Sequence, residues 1–200
     1  MTYMERIVLA SGSPRRKQLL EWAEIAFDIL VKDTEETWPP GLPTAEVPVH
    51  IARNKALAVK TALAAASPSL ASAANRIILA ADTVVVLGDE ILGKPRDRAD
   101  AISMLSRLAG QKHEVITGVV LLKVEEELSF ADRTAVWFHE LSQAEIEGYV
   151  DRYKPYDKAG AYAIQEWIGV VGIRRIEGDF YNVMGLPVSR VVRALRQLSP

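Results

Sequence analysis

The sequence predicts an α/β protein, and three stretches predict it. A short strand, Arg6 to Ala10, breaks at Ser11-Gly12-Ser13-Pro14 and enters a helix from Arg15 to Ala23. An apolar run from Ile77, rich in β-branched residues, turns at Gly88-Asp89 and returns through Ile91-Leu92, the pattern of a buried strand and hairpin. Beyond it, an amphipathic helix over Asp97–Leu108 is followed by a strand over Val115–Val124. Helices interleaved with apolar strands are the mark of the α/β class.

Composition narrows the function. The 200 residues suit one domain over residues 1–200, or two small lobes around one cleft. The chain is 49% hydrophobic and 25% charged, with a net charge of −2. That balance lacks the basic footprint of a nucleic-acid or membrane-surface binder, so an anionic ligand must be met by local positive groups. There is no cysteine, which excludes disulfides, thiol catalysis and cysteine-ligated zinc. No stretch reaches the roughly 18 apolar residues of a membrane span, and the first residues lack a signal-peptide run. The expectation is a cytoplasmic enzyme or binding protein.

Each element has its own signals. Ser13 is a suitable N-cap and Pro14 fits the first helical position. The amides of Gly12, Ser13 and the first turn then gather beside Arg15 and Arg16, a ready anion site; the plainer reading is a capped surface helix with two solvated arginines. Phe27–Lys32 predicts a second strand, leading into the acidic loop Asp33–Thr37, which either offers oxygen ligands to Mg²⁺ or is simply solvated. Pro48 to Ala66 predicts a helix carrying Lys55. The Ala64–Asn75 run of Ala, Ser, Pro and Leu reads as a connector. Within the central strand stands Asp82, with Lys94 just past the hairpin. A carboxylate buried in a strand costs several kcal/mol unless partnered, so Asp82 either serves a site or satisfies backbone donors at a strand end.

Glu125–Glu127 reads as a charged turn and Thr134–His139 as an alternating strand, with Ala135, Trp137 and His139 on one face. Ser142 caps a helix from Gln143 to about Arg152. Two glycine-marked stretches follow, Tyr156–Gln165 and Gly178–Pro187, the second opening a final helix to Leu198. His50, His113 and His139 have no metal-ligand spacing and read as structural.

Six motifs in order, Ser11-Gly12-Ser13-Pro14-Arg15-Arg16, Ala81-Asp82-Thr83-Val84-Val85, Gly93-Lys94-Pro95, Thr117-Gly118-Val119, Asp157-Lys158-Ala159-Gly160-Ala161-Tyr162 and Asn182-Val183-Met184-Gly185-Leu186-Pro187, resemble the Maf family of nucleotide pyrophosphatases. The resemblance spans essentially the whole chain. It implies an inosine-triphosphate-pyrophosphatase-like fold, a mixed sheet flanked by helices with two lobes around a central cleft. It implies a divalent-cation-dependent hydrolase, with Mg²⁺ or Mn²⁺, that cuts a nucleoside triphosphate between the α and β phosphates. A homodimer is implied as well.

Carried over by position, Asp82 looks like the general base. Arg15, Lys55 and Lys94 look like phosphate-binding positions, joined by Ser13, Arg16 and Thr83 in the substrate cradle. Glu36 looks like the acidic residue near the metal, shared with Asp82. Arg15, Thr83 and Gln165 look like positions that tune base choice. The stretch from Lys158 to Gln165 resembles the dTTP/UTP branch rather than the 7-methyl-GTP branch. Two features depart from the pattern: Glu166 stands where a glycine commonly follows the glutamine, and the Ala64–Asn75 connector is long. The other class weighed is a non-catalytic nucleotide-binding regulator of cell division; a third reading is house-cleaning of modified nucleotides.

Overall fold

A computed structural model of the chain describes residues 6–65 and 76–198. The connector residues 66–75 lie outside the described residues. The class is mixed α/β: seven strands form one sheet in the order β2-β1-β3-β5-β6-β7, with β4 paired to β3 outside that path. The strands are β1 (Ile7–Leu9), β2 (Phe27–Ile29), β3 (Ile78–Leu87), β4 (Glu90–Leu92), β5 (Lys112–Lys123), β6 (Glu126–Phe138) and β7 (Ile173–Glu177). β1 runs parallel to both β2 and β3, whereas β3–β4 and β6–β7 are antiparallel. By contacts the chain forms two compact units, the first from residues 1–82, 117–132 and 185–200, the second from residues 83–116 and 133–184.

In the first unit, helices α1 (Pro14–Trp22) and α2 (Val47–Ala65) accompany β1, β2 and the start of β3, and α7 (Val188–Leu198) ends the chain. Ile78 and Ala80 of β3 bury against Ala52, Ala56 and Val59 of α2, with Val8, Ala10, Val120 and Leu122 completing the cluster. Alanines at the contact let helix and strand approach closely. The tightest approach is at Gly118 of β5, where an added Cβ would lie 2.2 Å from the Val49 nitrogen. No side chain fits there, which is why the sequence places glycine in Thr117-Gly118-Val119.

In the second unit, α3 (Arg98–Leu108), α4 (Gln143–Tyr153), α5 (Trp167–Gly172) and α6 (Phe180–Met184) surround the remaining strand segments. Asp97 caps α3, and Ser142 with Glu145 forms a full capping box on α4. The β4 hairpin turns as the Gly88-Asp89 signal requires, with Gly88 at φ 61°. Asn182 is fully buried, donating to the Val115 carbonyl at 3.0 Å and to Thr134 Oγ1 at 2.9 Å, so the last glycine-marked stretch is an anchor for α6.

Some expectations change: β2 ends at Ile29 rather than Lys32, and β5 spans Lys112–Lys123 rather than Val115–Val124. β6 begins at Glu126, eight residues before the expected start; of its two alternating faces, Thr134, Val136 and Phe138 are buried and Ala135 and Trp137 half-buried. α5 and β7 have no counterpart in the sequence reading. The final helix runs to Leu198 as expected, and the glycine-marked stretch before it carries a further short helix, α6, with Gly185 at φ 118° between the two.

Candidate active site

The site is built where β1 hands over to α1 and where β3 passes α2. Strand alternation puts Ile78, Ala80 and Asp82 on one face of β3, the face that packs on α2. Lys55 lies on α2 one turn beyond Ile51 and Ala52, so its stem runs along the same contact. The result is a charge bridge. Lys55 Nζ donates to Asp82 Oδ1 at 2.7 Å and to Glu36 Oε1 at 2.7 Å. Asp82 is 9% exposed, so the ammonium supplies the partner that a buried carboxylate requires.

At the strand–helix junction, Ser13 caps α1 by accepting from the Arg16 amide at 3.5 Å. Arg15 is half-buried beside it. Arg16 differs from the expected pair of helix-start guanidiniums. It is buried, with Nε donating to the Gly185 carbonyl at 2.8 Å and Nη1 to Ser11 Oγ at 3.0 Å. Burial holds its pKa below the ordinary arginine value, while the charges of Asp82 and, more weakly, Glu36 act in the opposite direction. Arg16 is therefore a buried cation that braces the Ser11 turn and the Gly185 turn. Ser11, a hydroxyl straight after an apolar strand, is a contact the sequence reading did not single out.

The structure thus brings Ser13, Arg15, Arg16, Glu36, Lys55 and Asp82 together in the first unit, through direct contacts, sequence adjacency or the field felt by Arg16. Thr83, Lys94 and Gln165 belong to the second unit. Alternation places Thr83 on the face of β3 opposite Asp82 and shared with Val85, over which Gly160 packs so closely that a Cβ would come within 2.9 Å of a Val85 methyl. Lys94 is exposed just beyond β4, next to Gly93, whose carbonyl accepts from the Gly160 amide at 3.0 Å. Gln165 is exposed between the 3-10 turn Ala159–Ala161 and α5.

A cation site would draw on these carboxylates. Among the described residues no group of three or more His, Asp or Glu side chains converges. Magnesium, however, needs only one or two protein carboxylates when substrate phosphates complete its oxygen shell. Glu36 and Asp82 meet that need, because both reach the same ammonium and so lie within a few ångströms of one point. The donor pair has the chemistry such an ion takes, with the Lys55 ammonium now between the two carboxylates.

The histidines play no part in this site. His50 sits on α2 within hydrogen-bond reach of Asn54, and His113 is buried in the second unit at 2.8 Å from the Tyr162 hydroxyl.

The sequence model of the family described as "Maf-like protein" matches residues 6–198. The chain belongs to the Maf family. A protein of Cytophaga hutchinsonii named dTTP/UTP pyrophosphatase is 48% identical to this Maf chain over 192 residues, 96% of this chain and 84% of its own length. One of Parabacteroides distasonis with the same name is 43% identical over 192 residues, 96% and 95% of the two chains. Among solved structures, the Staphylococcus aureus Ham1 protein is similar at 15% identity and a TM-score of 0.46, over 96% of this chain and 98% of its own. No helix among the described residues is long and apolar enough to cross a membrane.

Proposed function

We propose that this Maf-family chain is a nucleoside triphosphate pyrophosphatase that hydrolyses dTTP and UTP to the monophosphate and pyrophosphate. Its relatives in Cytophaga hutchinsonii and Parabacteroides distasonis carry that name, which supports the substrate class. The observation that carries the reading is the Glu36–Lys55–Asp82 bridge beside the Arg15–Arg16 helix start. A polyanion binder gains nothing from a buried carboxylate, which would repel phosphate. A hydrolase can use one to take a proton from water.

Cleavage of the α–β anhydride calls for an oriented water, positive charge on the phosphates and a held leaving group. In our reading Asp82 accepts the proton of the attacking water. Lys55 neutralises phosphate charge once substrate competes for its ammonium, and Arg15 offers a planar, bidentate donor at the helix start. Lys94 adds a second ammonium. Arg16 stays behind as a fixed cation that holds the Ser11–Ser13 turn. A divalent cation on Glu36 and Asp82 would lower the pKa of bound water and neutralise phosphate charge. Gln165 presents one donor and one acceptor, the complement of the C=O and N–H edge of uracil or thymine, and Thr83 and Arg15 join it in base choice.

The test is pyrophosphate release from dTTP, UTP, CTP, GTP and 7-methyl-GTP with Mg²⁺ or Mn²⁺. Turnover of dTTP and UTP above the rest is expected. Preference for 7-methyl-GTP would overturn the pyrimidine assignment, and no release from any nucleotide would return the chain to the class of non-catalytic binders.

A further inference from the structure

The second unit holds a polar network that none of these roles uses. Tyr149 of α4 is 1% exposed, and its hydroxyl donates to Glu166 Oε2 while accepting from the Ala163 amide at 3.3 Å. One phenol thus grips both sides of the dipeptide Ile164-Gln165. Glu166 is gripped from the other oxygen too. Lys158 Nζ lies 3.5 Å from Glu166 Oε1 and 2.8 Å from Asp157 Oδ1, and Lys158 is itself 7% exposed.

The backbone around this network is seated as closely. Gly169 of α5 presses on Ile164 so tightly that a Cβ would lie 1.7 Å from the Ile164 carbonyl oxygen. The Tyr162 hydroxyl meets His113 Nε2 at 2.8 Å, and Ala161 holds a left-handed φ of 60°. A non-glycine residue in that region stores strain that the surroundings must over-determine. Within the held dipeptide Ile164 is buried and the Gln165 side chain is exposed. An exposed amide on an immobilised backbone suits reading the edge of a planar ligand, because a donor–acceptor pair discriminates only while its geometry is held.

We infer that Glu166, held by Tyr149 and Lys158, is a positioning residue for nucleotide specificity: it fixes the backbone from which Gln165 addresses the base. The inference rests on the proposed pyrophosphatase reading. It gives a role to the carboxylate that stands immediately after the glutamine. Removing that carboxylate leaves the Lys158 ammonium with Asp157 alone and frees one of the two points by which Tyr149 holds the segment. The phosphate-handling residues of the first unit are untouched.

Glu166→Ala and Tyr149→Phe are compared with the unaltered chain and with Glu166→Gln, whose amide oxygen still accepts from Tyr149. Two readouts are taken. The first is kcat/KM for UTP, dTTP and CTP, where a displacement of about 1 Å can cost about a hundredfold. In Glu166→Ala and Tyr149→Phe the UTP-to-CTP ratio should fall about tenfold or more through KM, with kcat nearly kept, and Glu166→Gln should recover most of it. A strut with no link to specificity would lower stability or kcat for all nucleotides alike and leave the ratio unmoved, which overturns the inference. The second readout is amide hydrogen exchange of residues 157–166, which needs no turnover. Faster exchange in Glu166→Ala and Tyr149→Phe is expected; unchanged exchange would overturn the positioning role even if the ratio fell. If the unaltered chain releases no pyrophosphate, the pyrophosphatase reading fails by itself, and the exchange result still decides whether Glu166 fixes this segment.

Discussion

Lys55 is the residue on which the local electrostatics turn. Its ammonium stands 2.7 Å from two carboxylates, one of them buried, so removing it takes away the hydrogen-bonded cation that holds two like charges near one another. Lys55→Met should therefore destabilise the chain by about 1–3 kcal/mol, read as a lower urea midpoint, because the buried carboxylate loses its hydrogen-bonded partner and keeps its desolvation cost. Asp82→Asn should cost less, since Lys55 keeps Glu36. Equal losses in the two variants would mean the bridge contributes nothing beyond packing. Gln165 is exposed and should behave in the opposite way: Gln165→Ala shifts kcat/KM among nucleotides by about 1–3 kcal/mol with an unchanged urea midpoint. At this scale the sequence was legible wherever a residue's chemistry conflicted with its neighbourhood. Asp82 in an apolar strand announced a partner, though not which one. Arg16 did not announce its inward turn, because its acceptor is a backbone carbonyl 169 positions away and no local pattern encodes that. The Tyr149–Glu166–Lys158 network was hidden for the same reason.

At the scale of elements, chain signals worked best at helix starts. Ser13 and Ser142 each cap the helix they precede, a property of the side chain and its next three amides alone, and Asp97, expected as the first helical residue, is the cap of its helix instead. Ser13→Ala should cost about 0.5–1 kcal/mol, toward the low end because the cap bond is long at 3.5 Å. Gly118→Ala should be far worse. A methyl group there meets the α2 backbone rather than a movable side chain, and a loss of about 3 kcal/mol or more is expected from thermal melts. A nearly neutral Gly118→Ala would show that β5 and α2 do not approach as described. The elements that escaped the sequence reading share a cause. β7 ends the sheet order and carries two arginines and a glutamate in five residues, as an edge strand can when only one side is paired. The first half of β6 is exposed or half-buried throughout, and its alternation, Leu128 and Phe130 about Ser129, is too short to stand out. α5 is six residues long, too short for a helical period to register.

For the molecule as a whole, acid stability is governed in part by His113. The ring is 1% exposed and edge-on to Phe138 and Tyr162, and burial lowers its pKa from 6.5 to about 4. The folded state therefore resists a proton that the unfolded chain accepts. Stability from this residue is fully present above about pH 6.5 and is lost as pH falls toward 4, by about 3 kcal/mol in all. His113→Gln should flatten that part of the stability–pH curve; an unchanged slope between pH 6.5 and 4 would remove His113 as its source. The reaction proposed for the chain is tested most directly by one comparison, pyrophosphate release from dTTP and UTP by the unaltered protein and by Asp82→Asn at equal concentration with Mg²⁺. Loss of a general base should slow turnover by about 10²–10⁴-fold while the fold persists. Asp82→Asn turning over at nearly the unaltered rate would contradict the role given to Asp82, and with it the mechanism built on the Glu36–Lys55–Asp82 bridge.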